Sequence, residues 1–124
     1  MKNEKGFTVV EIIIVVSIVA VLGAIIMPSL INARTQASDT AATTYGRNLI
    51  TYLASADTNA TTPVAQTNLR AITDCTDALL INEGADSEVP DIVSSCAFTY
   101  DSSTGQFQLE IVTEASGTTI NYTY

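Results

Sequence analysis

Glu11 is the one charged residue in the stretch from Gly6 to Pro28, reading GFTVVEIIIVVSIVAVLGAIIMP. An ionised carboxylate in apolar surroundings is costly unless it has a partner or a function. A cut between Gly6 and Phe7 would supply the partner. The new α-amino group would sit one helical turn before Glu11, and cation and anion would pair within one chain or between neighbouring chains. Elsewhere the chemistry-bearing residues are few. Cys75 and Cys96 are the two cysteines, and Asp86, Glu88 and Asp91 share one loop. The chain has no histidine, which removes the commonest general base and the commonest metal ligand. No nucleophile, base and orienting group can be assembled, and no glycine-rich phosphate loop is present, so the sequence reads as that of a non-enzyme without cofactor.

The element that positions Glu11 is a helix. The 21 residues from Phe7 to Met27 would make a helix of about 31 Å, enough to cross the hydrocarbon core of a bilayer. Dropping the first turn to exclude Glu11 would leave the span short. The run is rich in β-branched residues, but in lipid the backbone must satisfy itself within the segment, so helix is the expected state. Gly23 and Pro28 predict a kink or a melted turn, because proline removes a donor and clashes with the carbonyl four residues earlier.

A short basic leader ending in Gly6, then Phe7, Thr8, two apolar residues, Glu11 and a long apolar run, resembles the class III signal of type IV prepilins. Pro28 matches a proline common in that family's helix. Val9 and Val10 stand where the family often has Leu and Ile. The resemblance covers about the first 30 residues. It implies cleavage after Gly6 by a membrane peptidase, N-methylation of Phe7, and assembly through Glu11 and Phe7. An ordinary secretory signal would need a small-x-small site behind the apolar core, where Val21-Leu22-Gly23 is a poor candidate. A plain membrane anchor would explain the length but neither Glu11 nor the Gly-Phe junction.

Composition bounds the remainder. With 124 residues in all, a leader and a membrane span leave one small exported domain. Lys2 and Lys5 precede the span and Arg34 follows it, a bias that favours a cytoplasmic amino terminus. After cleavage Arg34, Arg47 and Arg70 face twelve carboxylates, a balance that argues against gripping a nucleic-acid backbone. Cys75 and Cys96 would close a loop of about 20 residues, worth roughly 3 kcal/mol in the chain-entropy account, and export permits such a bond. Two free thiols or half a metal site would require soft ligands that the chain lacks.

Along the chain, Ala37, Ala41, Tyr45, Leu49, Tyr52 and Ala56 fall at helical spacing and predict that the helix continues to about Asp57. Gly46 in that stripe has no purpose legible in the sequence. TNATTP, from Thr58 to Pro63, is a break, and Pro63 is expected to end any helix. Leu69, Ile72, Leu79 and Leu80 suggest one or two short helices, and residues 82–90 a loop. Residues 97–100, 106–113 and 118–124 predict a three-stranded antiparallel meander, with Phe107, Leu109 and Ile111 facing inward. Asp86, Glu88 and Asp91 offer hard oxygen ligands of the kind calcium selects, though their spacing fits no strict motif.

The expected fold is therefore α+β and pilin-like: a leader at 1–6, a transmembrane and polymerisation helix at 7–28, its amphipathic continuation at 29–57, and an exported head at 58–124. The resemblance implies a pilus subunit, stored in the inner membrane and then assembled with copies of itself at the cell surface. Its implied partners are the prepilin peptidase, an assembly ATPase with its inner-membrane platform protein, and minor pilins. Motility, adhesion and DNA uptake are the filament functions it implies. Two alternatives stand beside it: a pseudopilin of a type II secretion system, favoured by bound calcium and a missing disulfide, and a bitopic surface-binding protein that never polymerises.

Overall fold

The computed structural model describes residues 6–124. The leader residues 1–5, including Lys2 and Lys5, lie outside the described residues. The chain divides into two compact units, one ending at Arg34 and the other spanning Thr35–Tyr124. Helix α1, Val9–Asn59, runs through both.

In the first unit α1 is apolar on every side. Val10, Ile13, Val16, Val19, Leu22, Ile26 and Leu30 are each more than half exposed, so the helix owes nothing to packing within this chain. A helix with apolar residues exposed all round suits surroundings of lipid or of other apolar helices. Among the described residues it is the one helix long and apolar enough to cross a membrane. The melted turn expected at Gly23 and Pro28 is absent, for α1 is unbroken with Pro28 inside it. Proline costs a single donor, whereas unwinding would strand several backbone groups in an apolar medium.

In the second unit α1 presents a buried stripe of Ala42, Tyr45, Gly46, Leu49, Leu53 and Ala56. The stripe is displaced from the expected one: Ala37 and Ala41 are exposed and Tyr52 is half-buried. Gly46 accounts for the shift. A Cβ placed there would overlap the Tyr122 ring and lie 2.8 Å from Ile111 Cδ1, so sheet side chains pack directly on the helix backbone at this position.

After α1 the polar break appears as expected, but Pro63 opens a helix instead of ending one. It begins α2, Pro63–Arg70, behind Thr62, whose hydroxyl accepts from the Ala65 N–H at 3.2 Å. Proline is well suited to a first helical position, where its missing N–H has no helical partner to lose. Helix α3, Ala78–Asn82, is capped by Asp77, which accepts from the Leu79 N–H at 2.9 Å.

The meander is as the alternation predicts. Strands β1 (Val93–Asp101), β2 (Gln106–Thr113) and β3 (Thr119–Thr123) pair antiparallel in sequence order. β1 starts earlier than expected, with a register shift between Val93 and Ser95. The β1–β2 turn ends at Gly105, whose φ of +74° favours glycine. Along β2, Phe107, Leu109, Ile111 and Thr113 are buried while Gln106, Gln108 and Glu110 are exposed. Phe107, Leu109 and Ile111 join Leu49, Leu53, Ile72 and Leu80 in the core, each fully buried aliphatic side chain contributing about 1.5–3 kcal/mol. Cys75 and Cys96 are disulfide-bonded, with Cα atoms 5.9 Å apart. The bond lies beside the Asp74–Ala97 bridge and the Phe98 N–H donating to the Thr73 carbonyl at 3.1 Å, so it ties the segment after α2 to β1.

Candidate functional site

The amino-terminal site is built on the first turn of α1. Thr8 precedes the helix, and its hydroxyl accepts from the Glu11 N–H at 3.3 Å. The Glu11 carboxylate reaches back, accepting from the Thr8 N–H at 3.4 Å and from the Thr8 hydroxyl at 3.5 Å. This reciprocal arrangement is a capping box, in which side chains satisfy donors that the first helical turn leaves unpaired. Thr8-Val9-Val10-Glu11 has the T-x-x-E pattern of that motif, so Glu11 is marked in the sequence as a cap as well as a charge. A carboxylate is also favoured here by the positive end of the helix dipole.

Glu11 is thus held at the helix start, solvent-exposed, on a surface with no other charge between Phe7 and Ala33. Phe7 is 78% exposed. A Cβ at Gly6 would meet nothing within 4 Å. The fold of this chain therefore places no steric demand for glycine at that position.

The other sequence candidates separate cleanly. Cys75 and Cys96 are brought together as described. Asp86, Glu88 and Asp91 are all exposed and line an open cleft of about 410 Å³. Among the described residues no group of three or more His, Cys, Asp or Glu is gathered to hold a metal.

The acid that the head does use is Glu83, which the sequence did not single out. It accepts from Ser55 Oγ and, at 2.9 Å, from Asn59 Nδ2, joining the end of α3 to the last turns of α1. Those two bonds, Ser55 first, hold its carboxyl below the usual range. Tyr45 has the opposite character. Its hydroxyl is buried with no hydrogen-bond partner among the described residues, and burial, followed by the charges of Asp86 and Asp74, raises its pKa.

With this geometry in view, comparison with known proteins shows what the chain is similar to. Residues 1–27 match the prokaryotic N-terminal methylation motif, and the α+β fold with its long apolar amino-terminal helix is pilin-like. The chain is type IV pilin-like and carries a class III prepilin signal. Among particular proteins it is similar to the type IV wide pilus major component PilA4 of Thermus thermophilus, with 49% identity over 45 residues. That match covers 36% of this chain and 34% of the relative. No solved structure matches the chain.

Proposed function

We propose that this chain is a structural subunit of a type IV pilus. It is stored in the inner membrane with its amino terminus cytoplasmic, cut between Gly6 and Phe7, N-methylated on Phe7, and polymerised through the first part of α1 into a surface filament. The observation that carries this reading is the single exposed carboxylate, Glu11, one turn beyond the Gly6–Phe7 junction on a helix surface that is otherwise uncharged and apolar. Each of the two charges, the α-amino group and the carboxylate, is costly alone in such surroundings, and pairing Glu11 of one subunit with Phe7 of a neighbour sets a register between subunits. Burial of neighbouring apolar spans against one another then supplies packing along the filament.

In this reading the protein is a substrate of a prepilin peptidase and not an enzyme. Assembly draws on an ATPase, an inner-membrane platform protein and minor pilins. The formed Cys75–Cys96 bond weighs toward a pilus subunit over a pseudopilin.

The test is the intact mass of the protein in filaments sheared from cells, before and after reduction. A species beginning at methylated Phe7, gaining two hydrogens on reduction, is expected. Full-length chain remaining in the membrane, with none in any sheared fraction, would overturn the proposal in favour of the bitopic anchor.

A further inference from the structure

At one end of the sheet three aromatic residues stand in a row across the strands. Tyr100 of β1 is opposite Phe107 of β2, and the Phe107 and Tyr124 backbones exchange N–H···O bonds of 2.9 Å. Ring centroids lie 4.9 Å apart for Tyr100 and Phe107 and 6.5 Å apart for Phe107 and Tyr124. Phe107 is buried, Tyr100 half-buried, and Tyr124 40% exposed. Together with Asp57 from the end of α1, Arg70 from the end of α2, and Gln106, they line an open cleft of about 380 Å³. That size falls within the range of small-molecule sites, and the lining is more polar than apolar, with the partly exposed Tyr124 ring beside the polar groups.

The polar groups have unspent capacity. Arg70 stacks over Tyr100, its Cζ 5.4 Å from the ring centroid, a placement that orders the guanidinium without using its N–H donors. Among the described residues those donors make no hydrogen bond and no ion pair. Asp57 accepts one long bond, 3.4 Å, from the Tyr124 hydroxyl, and a carboxylate has room for several more. Gln106 is exposed and offers both a donor and an acceptor.

We infer that this cleft binds a neutral sugar ring, a pyranose of a surface glycan. A pyranose has an apolar C–H face that suits the exposed part of the Tyr124 ring, and a rim of hydroxyls that both donate and accept. Arg70 donates to that rim, Asp57 accepts from it, and Gln106 does either. Charge selects this class over nucleotides. Arg70 and Asp57 offset one another within the cleft, while the unit around it carries only Arg47 and Arg70 against eleven carboxylates, a field that opposes phosphate. The inference rests on the head alone and stands whether or not the chain polymerises.

The experiment is two-dimensional NMR of the full processed chain in deuterated dodecylphosphocholine micelles, since a sugar-headed detergent would compete for the cleft. The probes are the methyl glycosides of glucose, galactose, mannose, N-acetylglucosamine and N-acetylgalactosamine, each added up to its solubility limit. At least one is expected to shift the Arg70 Nε–H and Gln106 side-chain amide signals saturably. Arg70→Gln and Asp57→Asn should each weaken that response by about tenfold, the cost of one charge-assisted hydrogen bond. Gln106→Ala provides a third variant at an exposed position, and the dispersion of each spectrum reports its folding. The inference is overturned if none of the five glycosides moves these signals, or if the response survives unchanged in all three folded variants. It is equally overturned if only oligothymidylate shifts them, with a response that salt abolishes.

Discussion

Tyr122 of β3 lies over Gly46 of α1, and its hydroxyl donates to the Thr43 carbonyl at 2.8 Å. The pair sets how closely the sheet approaches the helix, and it leads to the first prediction. At an uncrowded helical site, replacing glycine by alanine would stabilise by about 1 kcal/mol. At Gly46 the added methyl meets the Tyr122 ring and Ile111, and overpacking of a core costs about 1–3 kcal/mol. The second effect wins, so Gly46→Ala should lower the unfolding midpoint of the head by several degrees. Near-UV circular dichroism during thermal unfolding measures it, and an unchanged or raised midpoint would refute the close approach.

Tyr45 offers the opposite outcome. Its buried hydroxyl lacks a partner among the described residues, and a buried unsatisfied polar group costs about 1–3 kcal/mol. Tyr45→Phe keeps the ring and removes the liability, so stability should hold or rise by up to about 1 kcal/mol in urea unfolding at neutral pH. The raised pKa of Tyr45 adds a signature in alkali. Stability tied to the protonated phenol is complete below the ordinary tyrosine value, about 10, and drains away as pH rises through the higher folded value. The phenylalanine variant should therefore lose less stability than the parent across that alkaline limb.

Much of this architecture was legible in the residues themselves. The period-2 alternation from Gln106 to Thr113 revealed the buried face of β2, and the apolar run after Phe7 revealed the helix. What stayed hidden depended on partners distant in sequence. The stripe on α1 cannot be placed from the sequence because Ala37 and Ala41 are as apolar as Ala42, and the seating of Tyr122 on Gly46 selects among them. Pro63 has the look of a helix stop in the sequence, and its role as a helix opener depends on Thr62 turning the chain into α2. The Thr8–Glu11 cap was within reach of the sequence. Glu83 was not, since its partners Ser55 and Asn59 stand 28 and 24 residues away.

The Cys75–Cys96 bond should contribute a large share of the head's stability. For a loop of this length the entropic account gives about 3 kcal/mol, against a typical total of about 5–15 kcal/mol for a domain. Replacing both cysteines by alanine, or reducing the bond, should move the urea midpoint down by a corresponding amount. An unchanged midpoint would mean that the Asp74–Ala97 bridge and the Phe98–Thr73 bond already hold that segment unaided.

Glu83 should make the head acid-sensitive in a specific window. Its folded pKa is lowered by Ser55 and then Asn59, so its contribution is complete above the ordinary glutamate value, about 4.3. It is lost as pH falls below that value and through the lowered folded one. Glu83→Gln should flatten this part of the pH–stability curve, and Ser55→Ala should shift it toward the ordinary glutamate range. Both effects are read from thermal midpoints measured stepwise in acid, and salt should reduce them little because the partners are uncharged. A curve that Glu83→Gln leaves unaltered would remove Glu83 from the account of acid stability.

Glu11 has two separable roles, the cap to Thr8 seen in the structure and the proposed pairing with the α-amino group of a neighbouring Phe7. Glu11→Gln preserves a capping-box acceptor and removes the charge. Thr8→Val does the reverse, giving up a cap worth about 1 kcal/mol while keeping the carboxylate. Leaving one member of a buried ion pair unpaired costs about 3–5 kcal/mol, so the charge should dominate. The expected result is membrane-stored Glu11→Gln protein with sheared filament yield reduced at least about tenfold, beside Thr8→Val protein that assembles at close to parental yield. The converse pattern, with Glu11→Gln assembling normally and Thr8→Val failing, would assign the importance of this turn to the helix start and abandon the intersubunit pairing.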